Sequence, residues 1–337
     1  MHKKMLLLAA VVAVLSFVLV ACAGPEGPQG PEGPQGPAGP QGEAGPALTA
    51  TDLTCTECHD DTALITGKKA AWQTSLHGSG IAFEEEGDRN TCAGCHSGAA
   101  FSKMIAAGLN FSQVESGDAE PTHQDCRTCH QIHTTFTRAD WALETDAPVA
   151  FVVSGLTYDG GSGNLCANCH QARRYIENFV DKTDATKYTS TSVRFNPHLS
   201  VQGDILMGSG GTGVEGKPGA HYTMVENTCS GCHMGDGKVH TFEPQLSSCV
   251  ACHADAESLD VNGALTKIEG RLEELKVALQ AAGLLDADGV VIPGTWDANQ
   301  ATALWNYEVM EEDASGGAHN PNYYNALLDA AFAALEQ

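Results

Sequence analysis

Hydrophobic positions along this chain fall into three regimes. Residues 5–20 form an apolar run, with Ser16 within it, behind Lys3 and Lys4. Near the other end, Leu265, Ile268, Leu272, Leu275 and Leu279 recur at 3-4-3-4 spacing, the period of one apolar helix face, so a helix is predicted from about residue 262. Two heptads suit a seam inside the chain better than a coil between chains. A second helix is predicted over 297–312. A third should begin at Pro321, a residue suited to a first helical turn, and run to the end. Between these regimes, residues 51–256 show short segments broken by Gly. Only 149–156 and 187–194 read as strands. The expected fold is mostly irregular, with short helices whose interior comes from something other than secondary structure, followed by an α-helical C-terminal segment.

The N-terminal run has the charged and apolar regions of an export signal. A single membrane-spanning helix is the alternative, but a span needs roughly 20 apolar residues. The run closes on Leu19-Val20-Ala21-Cys22, which resembles a bacterial lipobox. That resemblance implies cleavage before Cys22, diacylation of its thiol, and a stable two-chain anchor. Ala23 stands where inner-membrane lipoproteins of some bacteria carry Asp, so an outer-membrane or cell-surface location is expected. From Gly24 to Gly45 every third residue is Gly, mostly followed by Pro. Such a collagen-like repeat forms either a single polyproline II stalk or, with two further copies, a triple helix and hence a homotrimer. Either form is a spacer, and 23 residues at ~3.1 Å each reach roughly 70 Å. The expected organisation is a signal peptide over 1–21, a lipidated Gly-X-Y spacer over 22–50, a cofactor-bearing domain over 51–256, and a helical segment over 257–337 packed on it.

Charge narrows the partners. With 18 Lys and Arg against 42 Asp and Glu, the net charge is −24. Nucleic acid is excluded as a partner, because its phosphates require basic side chains. A solvated acidic surface, or steering of cationic partners, fits instead. Aromatic residues make up only 6% while cysteines number 13, so core material must come from elsewhere.

Twelve of those cysteines fall into six Cys-x-x-Cys-His units. They are Cys55, Cys58 and His59; Cys92, Cys95 and His96; Cys126, Cys129 and His130; Cys166, Cys169 and His170; Cys229, Cys232 and His233; and Cys249, Cys252 and His253. Two thiols three residues apart reach the two vinyl groups of one haem, and the adjacent His binds iron from one face. Structural zinc would merge such units into four-ligand sites and has no use for a His after each. Disulfides suit an exported chain, but six tight loops make a poor scaffold. Six covalently bound haem c groups are predicted, and with Cys22 lipidated no cysteine is left over.

Each iron needs a second axial ligand or an open site. His77, His133, His198, His221, His240 and His319 are the candidates, with His123 an even choice because it lies three residues before Cys126. Met104, Met207, Met224, Met234 and Met310 are rivals, and packing is the preferred role for them.

With these motifs in place a resemblance can be stated. Trp72-x-x-Ser75-Leu76-His77, the block Asn164 to Gln171, Pro197-His198, Gln202-Gly203-Asp204, His233-Met234 and His240-Thr-Phe242 resemble bacterial multihaem c-type cytochromes. The ending Asp313-x-Ser315-x-Gly-x-His319-Asn320-Pro321-x-Tyr323, with Leu327 and Leu328, is similar to helical tails of the nitrite-reductase and octahaem cytochrome group. The resemblance implies close-packed haems with two His ligands each, His319 reaching back from the tail, and electron exchange with redox partner proteins or an extracellular acceptor. The catalytic haem of ammonia-forming nitrite reductases sits on a CxxCK unit, which this chain lacks. Electron relay is therefore expected, and reduction of a small nitrogen or sulfur oxyanion at one five-coordinate haem is the alternative.

Overall fold

The computed structural model describes residues 63–235 and 239–336. The export signal, Cys22, the Gly-X-Y spacer and the first motif with Cys55, Cys58 and His59 lie outside the described residues. After α1 (Ala63–Thr74), helices follow as single or double turns: α2 (Leu76–Ser79), α3 (Ala82–Glu86), α4 (Asn90–His96) and α5 (Gly98–Ala106). The same holds for α6 (Cys126–Cys129), α7 (Asn164–Ala167), α8 (Gln202–Leu206), α9 (Ala220–Met224), α10 (Thr228–His233) and α11 (Leu246–Cys249). Helices this short cannot nucleate on propensity alone and depend on tertiary contacts.

The C-terminal region differs. Helices α12 (Ala264–Ala281), α13 (Ala298–Asp313) and α14 (Pro321–Leu335) have 18, 16 and 15 residues. Their ends carry local signals. Asp297 and Gln300 form a reciprocal capping box at the start of α13. Asn320 caps α14, whose first turn holds Pro321. Ile268, Leu272, Leu275 and Leu279 on the α12 seam are buried.

These helices do not form a core by themselves. One apolar cluster joins their inner faces to Ala172, Ile176, Phe195, Val201 and Ile205 from the motif-bearing region. Trp305 lies at its centre, fully buried, with its indole N–H donating to the Gly210 carbonyl at 2.8 Å. The Asn306 amide pairs with both backbone groups of Thr212, pinning that loop on α13. Two smaller clusters, around Phe151 and Tyr158 and around Phe101 and Phe111, lie beneath the motif segments.

Sheet is sparse and corrects the strand expectations. The predicted strand 149–156 ends after Ala150. Its residues turn through Gly155, whose φ of 68° favours glycine, and β1 (Val149–Ala150) pairs antiparallel with β2 (Thr157–Tyr158). The predicted strand 187–194 shortens to β3 (Lys187–Ser190). Its partner is β4 (Gly294–Asp297), distant in sequence, and the pairing ties the middle of the chain to the C-terminal helices.

Candidate functional site

Each described motif begins on one helical turn. The His130, His170 and His253 amides donate to the carbonyls of Cys126, Cys166 and Cys249 at 2.8, 2.9 and 2.8 Å. A turn of this kind stacks residues four apart, so the imidazole lies one turn from the first thiol. Asp125 helps fix the third motif by accepting from the Arg127 and Thr128 amides. Among the described residues no motif cysteine forms a disulfide, and no three His, Cys, Asp or Glu side chains converge as a metal-ion site.

The histidines come together in pairs. His77 faces His170 with ring centroids 6.2 Å apart. His96 faces His198 at 6.0 Å, and His130 faces His240 at 6.4 Å. His221 faces His253 at 6.3 Å, and His233 faces His319 at 6.3 Å. In all five, a motif histidine meets one from outside any motif. A metal–imidazole bond is about 2.0 Å and half a ring adds about 1 Å, so two imidazoles on opposite faces of one iron have centroids about 6 Å apart. These separations match the span of a shared metal. Their interplanar angles divide: 74°, 74° and 81° for the pairs of His77, His198 and His221, against 27° for His240 and 44° for His319.

Hydrogen bonds orient the rings. The Nδ1 of His130, His221 and His233 donates to the carbonyls of Trp141, Ala318 and Phe242 at 2.7, 2.5 and 2.7 Å. His170 Nδ1 bonds the Gln202 amide oxygen at 3.0 Å. His198 Nδ1 lies 3.4 Å from the Ser200 hydroxyl. His319 Nδ1 meets the Asp313 carboxylate at 2.7 Å. Donation through Nδ1 fixes the tautomer that leaves the Nε2 lone pair available to a metal. Electrostatics agree with neutral rings in two pairs. Burial, then the neighbouring His170, holds His77 down to about 4. Burial, then Arg173 and His96, holds His198 down to about 4.

The motifs also touch each other. The thiols of Cys95 and Cys169 are neighbours, as are those of Cys166 and Cys229. Cys95, Cys129 and Cys169 all pack against one cluster of Phe101, Met104, Phe111 and Leu165. The fourth motif thus sits between the second, third and fifth. Several exposed apolar side chains flank the unmotifed histidines: Leu76 at 88%, Leu199 at 70% and Met224 at 72% exposure. Large apolar groups beside metal-spaced imidazoles suit a flat apolar macrocycle.

Two candidates enter none of the five pairs. His123 sits half-buried against Phe83 and Trp72, with ring centroids at 4.0 and 6.0 Å. His133 has a left-handed φ of 66° and stacks on Phe136. Met104 and Met310 are core residues at 2% and 1% exposure, which places both in packing. Sequence reasoning did not single out the orienting acceptors at Trp141, Ala318 and Phe242, since backbone carbonyls leave no mark in a sequence. Asp313 and Gln202 stood within the motifs quoted for resemblance, without an assigned role.

No family model matches the chain. It is 25% identical over 354 residues to the C-type polyheme cytochrome OmcB of Geobacter sulfurreducens, in two strains, across 80% of this chain and 45% of the relative. It therefore spans about half the length of the curated relatives it matches. Among solved structures it is similar to the outer cell wall cytochrome OcwA, with TM-score 0.53 and 20% identity over 80% of this chain and 50% of that one. An undecaheme cytochrome from the S-layer of Carboxydothermus ferrireducens gives TM-score 0.47 at 20% identity, over 77% and 40% of the two chains. The repeated Cys-x-x-Cys-His units, the polyheme relatives and the similar fold support a relationship to multihaem c-type cytochromes.

Proposed function

We propose that the chain is a hexahaem electron-transfer cytochrome, exported and held at the cell envelope by a lipidated Cys22. The observation that carries this reading is the set of five histidine pairs at 6.0–6.4 Å. In it, His77 serves the motif of His170, His198 that of His96, His240 that of His130, His221 that of His253, and His319 that of His233. The remaining motif histidine, His59, draws its partner from His133 or His123. Each bound haem supplies a ferric–ferrous couple that takes up one electron. The chain's part would be to hold each iron between two histidines, which would favour relay over inner-sphere reduction. The neighbouring motif thiols, Cys95 beside Cys169 and Cys166 beside Cys229, support a relay that passes through the fourth motif.

The relatives' names, an outer cell wall cytochrome and a polyheme cytochrome, support a position at the cell surface with a redox protein or extracellular acceptor as partner. The acidic chain suits a cationic one. Among the described residues no helix is long and apolar enough to cross a membrane. The Gly-X-Y segment would act as the spacer, as a single stalk or a homotrimer. Low-temperature EPR of the oxidised protein, with pyridine haemochrome counting, tests the reading. Six haems per chain, all low-spin, are expected. A high-spin iron in the intact protein would move the assignment to an oxyanion reductase.

A further inference from the structure

We infer that Asp313 is a positioning residue that lowers the reduction potential of the iron held by His233 and His319, making it the electron-poor end of the set. The inference rests on the ligand pairing proposed above. Six imidazole Nδ1 hydrogen bonds were described. Five end on neutral oxygens, those of Trp141, Gln202, Ala318, Phe242 and Ser200. The sixth ends on the Asp313 carboxylate, 2.7 Å from His319 Nδ1.

That carboxylate is placed at a cost. Its side chain is fully buried, and a charge in such a setting needs several hydrogen bonds to persist. It also closes α13, a helix C-terminus whose dipole repels negative charge. Three donors hold it: His319 Nδ1, the Tyr324 hydroxyl at 2.7 Å and the Ser315 hydroxyl at 2.5 Å. The loop between is built to bring the ring back over it. Ala314 and Gly316 have φ of 55° and 59°. Gly317 has φ of 95°, and a Cβ there would fall 2.5 Å from Ile268 Cδ1.

The effect follows from charge. A carboxylate drawing on the Nδ1 proton makes Nε2 a stronger donor, and its negative charge stabilises ferric over ferrous iron. The potential falls. Tyr324 and Ser315 moderate this, because each hydrogen bond they give withdraws charge from the carboxylate.

The sign of the effect can be driven both ways, by EPR-monitored potentiometry on the full haem-loaded protein. His319→Ala identifies the relevant signal as the low-spin species it removes. In Asp313→Asn that haem's midpoint should rise while the other five stay in place. In Tyr324→Phe it should fall, because the carboxylate loses a donor. The inference is overturned if both variants bind six haems and all midpoints match the parent. Should Asp313→Asn fail to fold, Tyr324→Phe and Ser315→Ala decide alone: a downward shift supports the inference and no shift overturns it. If His319→Ala leaves every iron low-spin, the ligand pairing itself is wrong.

Discussion

Glu308 offers a quantitative test of how the C-terminal helices dock. It lies on the inner face of α13, 9% exposed, one turn from Glu311 and Glu312. Burial, then the charge of Glu312, pushes its carboxyl from 4.5 up to about 8. Asn196 opposes this by hydrogen bonding, and is shared with Glu312. A carboxylic acid whose folded value is raised binds its proton more tightly when folded. Its stabilisation is present below 4.5 and is lost as pH rises towards about 8. The interval sets a ceiling of about 5 kcal/mol. Glu308→Gln keeps the shape and the neutral form but removes the ionisation. Guanidinium unfolding of both proteins, followed by tryptophan fluorescence, should give similar midpoints at pH 5. At pH 9 the variant should be more stable by a few kcal/mol, within that ceiling. Parallel pH curves for the two proteins would refute the reasoning and mean that Glu308 is solvated or neutralised by a neighbour such as Arg174.

Three further outcomes are expected. Leu275→Ala empties a fully buried position on α12 and should cost about 2–5 kcal/mol in denaturant unfolding, with the haem spectrum unchanged. His133→Ala should open one iron, seen as a high-spin EPR signal and carbon monoxide binding, while His123→Ala leaves six low-spin irons. The reason is that His133 holds a left-handed backbone, as the paired His198 does, and such strain gathers at functional positions. Cys22→Ser should release the cytochrome from membranes with its spectrum intact, and continued tight association would mean that residues 5–20 span the bilayer.

The sequence made some of this legible because some of the chemistry is local. A Cys-x-x-Cys-His unit carries both thioether positions and an iron ligand within five residues, so nothing about the fold is needed to read it. The α12 seam was readable for the same reason, since Ile268 through Leu279 encode their face in their spacing. Pairings were not. Which histidine faces His96 depends on the Arg173 to Ser200 stretch folding back, and no periodicity records that His198 does so. The β3–β4 ladder was hidden likewise, for Lys187–Ser190 finds its partner at Gly294–Asp297, a contact of high sequence separation. The overlong strand at 149–156 failed on a turn residue, Gly155, whose positive φ reverses the chain after Phe151.

The pairing has a consequence for how the protein matures. A chain threaded out of the cytoplasm from its N-terminus presents its histidines in order, and on the proposed assignment the iron sites close in a different order. His77 is already outside when His170 emerges, so the fourth motif can be capped at once, and His221 likewise waits for His253. The second motif must stay open until residue 198 has passed, and the third until residue 240. The fifth motif closes last, because its partner is His319. Until that histidine arrives, the iron at His233 offers a free face to carbon monoxide, peroxide or a misplaced imidazole. On that assignment a chain stalled between residues 233 and 319 carries a haem with one open face, and the arrival of His319 seals it.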